Sequence, residues 1–287
     1  MKAMQISKVF VAGSGLMGGG IAHAVSAVAG LPVTVYDISD EVLAKSRASH
    51  EKLLQKMAEK GKLEADQIAN ILERVSYTTS LQAASEAQLV IEAIPEKLEL
   101  KKALFAQLES ICPAETLFAS NTSSLPITSL ASATQRGDRF IGMHFFSPVH
   151  LMKLLELIRG LETSEETFQT LKAFGEKLGK QVIVANDFPG FITTRLGMVL
   201  LNEAMYALME GVGSPEDIDA GMKLGFNHPM GPLALADAVG LDVCLNAMNT
   251  LQEGFGNPKY APCPLLKRLV QAGHLGKKTG RGFYTYA

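Results

Sequence analysis

The chain has 287 residues, of which 47% are hydrophobic and 20% are charged, and its formal net charge is −2. Because this length exceeds what one hydrophobic core usually supports, we expect two domains. The near-neutral charge, without a basic cluster, argues against nucleic acid as a partner. We expect no membrane segment and no signal peptide, since no apolar run is long enough and a strand begins almost at once. The three cysteines are widely spaced, which predicts reduced thiols in a cytoplasmic protein and no metal site.

A glycine-rich turn, GSGLMG at residues 13–18, follows the first predicted strand at residues 8–12. Its GxGxxG spacing suits a dinucleotide. Gly13 permits a tight turn, Gly15 lets the backbone approach a pyrophosphate, and Gly18 lets the next helix pack closely on the strand. The phosphates then meet unpaired N–H groups at the helix N-terminus. We therefore predict a cofactor loop formed by Gly13, Gly15, Leu16, Met17 and Gly18.

A second predicted strand, residues 33–36, ends at Asp37. An acid at this position binds the ribose hydroxyls of NAD and repels the 2′-phosphate of NADP. The alternative is that Asp37 caps the following helix, but the preceding glycines favour the ribose. This segment predicts half of a Rossmann domain.

Residues 41–74 have the pattern of two charged helices separated at Gly61. The first carries a series of basic side chains that includes Lys56 and Lys60. Such a series is usually a solvated helix face. The alternative is a basic rim for a substrate that carries phosphates.

Two further strands are predicted at residues 89–94 and 116–119. Glu92 lies inside the first, either buried beside a polar partner near the cofactor or exposed at the strand end. The second runs into SNTSS at residues 120–124, whose small polar side chains either face a ligand crevice or cap the next helix. The alternation of strands and helices up to about residue 120 predicts a parallel sheet.

One histidine and one glutamate lie among apolar neighbours in the stretch from residue 139 to 159. His144 is near the end of one predicted strand, and Glu156 lies inside the next. A buried carboxylate needs a partner. A histidine held by a glutamate is an oriented general base. The alternative is that His144 is an ordinary core residue and Glu156 is on an exposed edge.

The pattern becomes helical after Asp187. Residues 191–210 are apolar on nearly every side, which predicts a helix buried in its own domain or against another subunit. The glycine-rich basic end, residues 276–284, is either a cofactor contact or a solvated tail. The predicted class is α/β, with a mostly parallel Rossmann-type domain at residues 1–186, carrying the helical pair, and an all-helical domain at residues 187–287.

The ordered motifs resemble those of the L-3-hydroxyacyl-CoA dehydrogenases, most closely the bacterial 3-hydroxybutyryl-CoA type. They cover the whole chain: GSGLMG, VIEAIPE, SNTSSLPIT, HFFSPV, KLLELIRG, DFPGFITTR, KLGFNHPMGP and GKKTGRGFY. The resemblance implies interconversion of a 3-hydroxyacyl-CoA and its 3-oxoacyl-CoA with NAD as cofactor. It also implies a homodimer formed through the helical domain.

Residue roles follow from the same resemblance. His144 corresponds to the general base, Glu156 to the carboxylate that orients it, and Ser123 to the serine that binds the reacting oxygen and touches the cofactor. The remaining implied cofactor contacts are Asp37, Glu92, Lys97, Asn121, Ser147 and Lys278. The implied contact to CoA is Lys60, and we expect Lys56, one turn earlier on the same helix, to contact CoA as well.

Two positions depart from the family pattern. Ser147 and Thr194 each stand where the family has an asparagine, so each has a hydroxyl in place of an amide. Thr194 occupies the position of a catalytic-site residue that reaches the substrate. Two other hypotheses remain: a dehydrogenase of the same fold that acts on a hydroxy acid without CoA, and a non-catalytic NAD-binding protein.

Overall fold

An eight-stranded sheet with the order β3-β2-β1-β4-β5-β6-β7-β8 forms the frame of the first part of the chain. The computed structural model describes residues 5–286, apart from the side chain of Ala65. Strands β1 to β6 are parallel, whereas β7 and β8 run in the opposite direction. The strands are β1 (Val9–Ala12), β2 (Val33–Tyr36), β3 (Val75–Thr78), β4 (Leu89–Glu92), β5 (Leu117–Ser120), β6 (Phe140–Phe145), β7 (Leu154–Arg159) and β8 (Gln181–Asn186).

Helices cover both faces of this sheet, which explains why its central strands are apolar along their whole length. Val9 and Val11 of β1 join a core with the first helix, and Phe118 and Phe140 on the opposite face pack on Phe105. The helices of this part are α1 (Leu16–His23), α2 (Asp40–Glu59), α3 (Ala65–Glu73), α4 (Leu98–Ile111), α5 (Ile127–Ala131) and α6 (Glu165–Lys177).

The chain divides into two compact units, residues 1–187 and 188–287. The carboxylate of Asp187 accepts hydrogen bonds from the backbone N–H groups of Ile127 and Thr128, so Asp187 is anchored within the first unit. The second unit is helical. Its helices are α7 (Thr193–Met209), α8 (Pro215–Gly225), α9 (Pro232–Val239), α10 (Leu241–Phe255) and α11 (Pro264–Gln271).

The end of the second unit is anchored at residues 283–286, whereas its basic residues Lys277, Lys278 and Arg281 are exposed, as the alternative of a solvated tail predicts. The buried carboxylate of Asp237 accepts hydrogen bonds from the backbone of Phe283 and Tyr284 and from the hydroxyl of Tyr286. Helix α7 buries one side through Leu201 and Met205. Among residues 5–286, no helix combines the length and the apolar character needed to cross a membrane.

Two histidines form a buried contact between α1 and α2. His23 Nδ1 lies 3.1 Å from His50 Nε2, and the exposed His150 packs its ring edge-on against His23. A hydrogen bond between two ring nitrogens needs one donor and one acceptor, so the pair holds together without an added proton. Burial is the largest cause that lowers the pKa of His23, and together with the nearby His50, His150 and Lys180 it brings that pKa to about 4.

We predict that this cluster makes the protein less stable at mildly acidic pH. An unfolded histidine has a pKa near 6.5, so the unfolded chain binds a proton at this position below that pH. His23 in the folded protein stays neutral until the pH falls to about 4. The stabilisation is therefore complete above pH 6.5 and declines by at most about 3 kcal/mol as the pH falls to 4.

Urea unfolding at several pH values between 7 and 4 measures this effect. The His23→Gln variant should lose free energy of unfolding less steeply than the unmodified protein over this range. His274→Gln, which replaces a partly exposed histidine of the second unit, is the control and should keep the original slope. Equal slopes for all three proteins would show that His23 does not contribute.

Candidate active site

The carboxyl ends of the parallel strands lie at one edge of the sheet, and most of the predicted site residues of the first unit lie there. The glycine loop follows β1, Asp37 follows β2, Asn121 and Ser123 follow β5, and His144 is near the end of β6. Glu156 joins them from β7, because that strand begins at the edge where β6 ends. This is the edge at which ligands of open α/β sheets bind.

The glycine loop leaves its backbone open at one position and tightly packed at two others. A Cβ on Gly13 would lie 2.6 Å from the Ala93 carbonyl oxygen, and one on Gly18 would overlap the Gly13 carbonyl. Gly13 also has a φ of 102°, which favours glycine. By contrast, a Cβ on Gly15 would meet nothing within 4 Å. The open space above Gly15, at the start of α1, suits the approach of a pyrophosphate.

Asp37 links β2 to the glycine loop. One of its oxygens accepts hydrogen bonds from both Ser14 N, at 2.9 Å, and Ser14 Oγ, at 2.8 Å. Its other oxygen accepts from Ile38 N. The predicted alternative, in which Asp37 caps the next helix, is wrong, because Ser39 is the N-cap of α2. Asp37 therefore fixes the loop with one oxygen, in addition to any contact with a ribose.

Glu92 is fully buried at the end of β4, so the predicted alternative of an exposed strand end is wrong. Its carboxylate accepts hydrogen bonds from Ser120 Oγ at 2.5 Å, Ile94 N at 2.7 Å and Lys101 Nζ at 2.6 Å. Burial raises the pKa of Glu92, while the Lys101 ammonium and the hydrogen bonds oppose that rise. Both oxygens of Glu92 are thus engaged inside the fold.

Glu96 holds the segment after β5. Its Oε1 accepts hydrogen bonds from Thr122 Oγ1, at 2.5 Å, and from Ser123 N, at 2.9 Å. Its Oε2 lies 3.1 Å from Lys101 Nζ. The hydroxyl-bearing side chain of Ser123 is exposed, whereas its backbone is fixed by Glu96. Glu96 therefore orients the serine that the sequence identified as a site residue.

Asn121 connects the end of β5 to the end of β6. Its Oδ1 accepts a hydrogen bond from Phe145 N at 2.8 Å. The backbone pairing of these strands ends at Ser120 and Gly142. The side-chain amide thus takes the place of a backbone acceptor beyond that point, beside His144.

His144 and Glu156 form a buried pair across the antiparallel strands β6 and β7. The two residues are register partners, and His144 Nδ1 lies 3.0 Å from Glu156 Oε2. The side chain of Glu156 is 0% exposed and that of His144 is 7% exposed. The alternative of an exposed Glu156 is therefore wrong. Phe146 packs its ring 4.4 Å from the imidazole, and the exposed Ser147 follows it.

A cavity of about 470 Å³ lies between the glycine helix α1, helix α2 and the segment after β6. Gly15, Ser46, Leu53 and Val149 are part of its wall. Lys45 of α2 is also part of the wall of this cavity. Lys56 and Lys60 are exposed at the C-terminal end of α2. Lys97 is also exposed, at the N-cap of α4.

Two predicted site residues belong to the second unit and are described within it. Thr194 is buried in the first turn of α7. Lys278 Nζ forms an ion pair with Asp242, at 2.5 and 2.6 Å from its two carboxylate oxygens. In the part of the chain that the structure describes, no three His, Cys, Asp or Glu side chains are grouped as metal ligands.

Sequence reasoning missed two charged residues at the sheet edge, Lys101 and Glu96. Lys101 is 1% exposed, although lysine is almost never buried without a partner. A signal was present: Lys101 shares the helical spacing of the buried Leu104, Phe105 and Leu108 on α4. Glu96 lies in a turn without periodicity, and its role depends on the neighbouring β5 segment.

We predict that the Lys101→Met variant loses about 3 to 5 kcal/mol of unfolding free energy, because it leaves the buried Glu92 carboxylate without its countercharge. Chemical denaturation measures the loss. The double variant Lys101→Met/Glu92→Gln should regain most of it, since the amide oxygen can still accept from Ile94 N while the amide NH2 can donate to the Ser120 hydroxyl. Lys102→Met alters a partly exposed neighbour and should change little. A double variant no more stable than Lys101→Met would contradict the pairing.

Comparison with known proteins extends over nearly the whole chain. Residues 8–188 match the NAD-binding domain model of 3-hydroxyacyl-CoA dehydrogenases, and residues 190–286 match the C-terminal domain model of the same family. A probable 3-hydroxybutyryl-CoA dehydrogenase of Bacillus subtilis is 51% identical over 99% of this chain and 98% of its own. The 3-hydroxybutyryl-CoA dehydrogenase of Bradyrhizobium diazoefficiens is 49% identical over 99% and 97%.

A solved structure agrees with this result. The crystal structure of (S)-3-hydroxybutyryl-CoA dehydrogenase from Ralstonia eutropha superposes with a TM-score of 0.95 at 47% identity, covering 99% of this chain and 100% of that one. The predicted α/β class, with its Rossmann-type and helical domains, is confirmed. The match of both domain models and the full-length identity show that this chain belongs to the 3-hydroxyacyl-CoA dehydrogenase family.

Proposed function

We propose that this protein interconverts an L-3-hydroxyacyl-CoA, of the 3-hydroxybutyryl type, and the corresponding 3-oxoacyl-CoA, with NAD as cofactor. The observation that carries the proposal is the buried His144–Glu156 pair at the ligand-binding edge of the sheet. The relatives named above, which are 3-hydroxybutyryl-CoA dehydrogenases by name, support the substrate class.

The residues of the first unit have the groups that this reaction needs. Glu156 accepts a hydrogen bond from His144 Nδ1, which leaves Nε2 as the ring nitrogen that takes the proton of the substrate 3-hydroxyl. As the imidazole gains this proton, the Glu156 carboxylate balances its charge. Ser123 donates a hydrogen bond to the same substrate oxygen and so holds it beside the base.

The glycine loop and Asp37 fit NAD. The open space above Gly15 accommodates the pyrophosphate, and the N-terminus of α1 has no acidic side chain in its first turn to compete for it. Asp37 would bind the adenosine ribose. When bound, NAD would supply the acceptor for the hydride that leaves substrate C3 as the 3-hydroxyacyl-CoA is oxidised, and NADH would supply that hydride for the reduction. Asn121, Ser147, Lys97 and Lys278 are proposed as further contacts, and Glu92 as a residue that supports this region from within.

The basic α2 helix is proposed to hold the CoA moiety. Lys56 and Lys60 lie one turn apart, and Lys45 of the same helix lines the cavity beside the glycine loop. Point charges of this kind suit phosphate groups. Thr194 is proposed as a substrate contact that has a hydroxyl where the family has an amide, so its contribution to binding would be weaker by about one hydrogen bond, roughly 1 kcal/mol.

A homodimer through the second unit is part of the proposal. Several large apolar side chains of that unit are more than half exposed: Phe188, Leu196, Val212, Leu224 and Phe226. Large exposed apolar side chains are commonly buried when a protein interface forms. A second copy of the chain would cover them.

The direct test is the absorbance of NADH in the presence of acetoacetyl-CoA. Oxidation of NADH that depends on this substrate supports the proposed function. Oxidation with acetoacetate but not with its CoA ester would favour a hydroxy-acid dehydrogenase. No turnover with either substrate, together with normal NADH binding, would favour a protein that only binds the cofactor.

We predict that His144→Gln lowers kcat by about 10²-fold or more, the usual contribution of a general base, and leaves NADH affinity nearly unchanged. Glu156→Gln should act in the same direction, because the protonated imidazole loses its countercharge. Steady-state kinetics and NADH fluorescence titration measure the two effects. Glu166→Gln, which changes an exposed carboxylate on α6, is the matched control. Near-normal turnover in both site variants would exclude the pair as the catalytic base.

We predict that the unmodified protein prefers NADH to NADPH and that Asp37→Asn narrows the preference. The amide keeps an acceptor for Ser14 but removes the charge that repels a 2′-phosphate. That repulsion is worth about 1 kcal/mol or more, which corresponds to roughly 5-fold in the ratio of kcat/KM values. Asp40→Asn, at an exposed site nearby, should not change the ratio. Equal use of both cofactors by the unmodified protein would place Asp37 away from the ribose.

A further inference from the structure

The loop at residues 146–153 joins the strand that carries His144 to the strand that carries Glu156. In a hairpin, the conformation of the connection fixes the register of its two strands. His144 and Glu156 meet only in the observed register, because a shift by one residue would turn one side chain to the opposite face of the sheet. Whatever holds this loop therefore also holds the catalytic pair.

Lys180, which lies directly before β8, binds two backbone carbonyls of this loop. Helix α6 ends and Gly179 turns the chain with a φ of 72°, which places Lys180 directly before β8. Its ammonium donates hydrogen bonds to the Val149 carbonyl and, at 2.8 Å, to the Met152 carbonyl. The adjacent Gln181 N donates to the Lys153 carbonyl at 2.7 Å. Partial burial lowers the pKa of Lys180.

Helix α1 supports the opposite side of the same loop. Val149 is buried against Gly20, where an added Cβ would lie 2.8 Å from Val149 Cγ2. The neighbouring His150 packs its ring on His23. These contacts are non-directional and do not fix the loop along the strand axis. The two carbonyl contacts of Lys180 are directional, and together with the hydrogen bond from Gln181 N to the Lys153 carbonyl they define where the loop, and hence the start of β7, lies.

We propose that Lys180 is a positioning residue for the reaction, which acts by fixing the 146–153 loop so that Glu156 meets His144 in hydrogen-bonding register. This inference rests on the proposed function, because it concerns the catalytic pair of that reaction. Lys180 itself touches neither substrate nor cofactor in this mechanism. Its effect passes through the two carbonyls to β7 and from β7 to the Glu156 carboxylate.

Lys180→Met tests the proposal, because methionine has a similar length and no donor. We expect kcat with acetoacetyl-CoA to fall on the order of 10-fold, since small misplacements of catalytic groups are costly, while KM for NADH stays within about twofold. Lys180→Arg retains donors for both carbonyls and should recover most of the turnover. Lys177→Met alters an exposed lysine at the end of α6 and should behave like the unmodified protein.

A double-variant cycle with Glu156→Gln separates positioning from general stability. If Lys180 acts through Glu156, then Lys180→Met should add little, less than about twofold, to the loss of kcat already caused by Glu156→Gln. A full additional loss in that background, or an equal loss of kcat in Lys180→Arg, would overturn the proposal. An unchanged kcat in Lys180→Met would overturn it as well.

Two measurements keep this outcome distinct from other failures. Turnover of the unmodified protein tests the proposed function first, so a failure there is seen before any variant is made. Circular dichroism establishes that each variant is folded. If Lys180→Met does not fold, Lys180→Gln takes its place in the same comparison of kcat values and in the same double-variant cycle with Glu156→Gln. Its side chain is shorter and has an amide donor.

Discussion

The reversal of chain direction between β6 and β7 is the constraint on which the candidate active site depends. All the strands before it are parallel and contribute their carboxyl ends to one edge of the sheet. The antiparallel β7 instead starts at that edge, so a residue early in β7 lies opposite a residue late in β6. This arrangement brings Glu156 to His144 although the residues belong to different strands. A further parallel strand would have needed a long crossover connection before it.

Two buried charged side chains of the first unit are each paired with a side chain of opposite charge. Glu92 is buried against Lys101. Arg136 is buried against Glu109 and covers the face of Phe118. Such pairs contribute little net stability, because desolvation offsets their attraction, but loss of one partner is costly. Their consequence here is geometric: the Glu92–Lys101 pair fixes the end of β4 beside the candidate site, whereas the Arg136–Glu109 pair fixes the end of α4 near the start of β5.

The sequence was sufficient to predict the features that depend on local pattern. The glycine spacing, the acid after β2 and the alternation of strands and helices are local signals, and the structure contains each of them. The His144–Glu156 contact was one of two open alternatives until the family resemblance favoured it, since burial depends on the register of two strands. The strand β3 was missed, because the half-buried edge segment VSYT at residues 75–78 has no strong apolar pattern.

The contacts of Glu96, Asn121 and Lys180 could not have been predicted for a different reason. Each is a polar side chain in a turn or at an element end, and each has at least one backbone partner that is distant in sequence. Backbone partners leave no mark on residue type at the contacted position. A sequence therefore indicates that such a side chain is polar, but not which strand end it holds.

Several contacts at the carboxyl ends of the strands share one arrangement. In each, a side chain at or after the end of one strand binds a group at or after the end of a neighbouring strand. Asp37 binds the loop after β1, and Glu92 binds Ser120 at the end of β5. Asn121 binds Phe145 at the end of β6. The backbone ladder stops where the strands diverge, so these links maintain the strand ends where the ladder no longer does. Loops are ordinarily the mobile part of a fold, but hydrogen bonds from Glu96 hold the loop that carries Ser123, and such preorganisation lowers the ordering cost of binding.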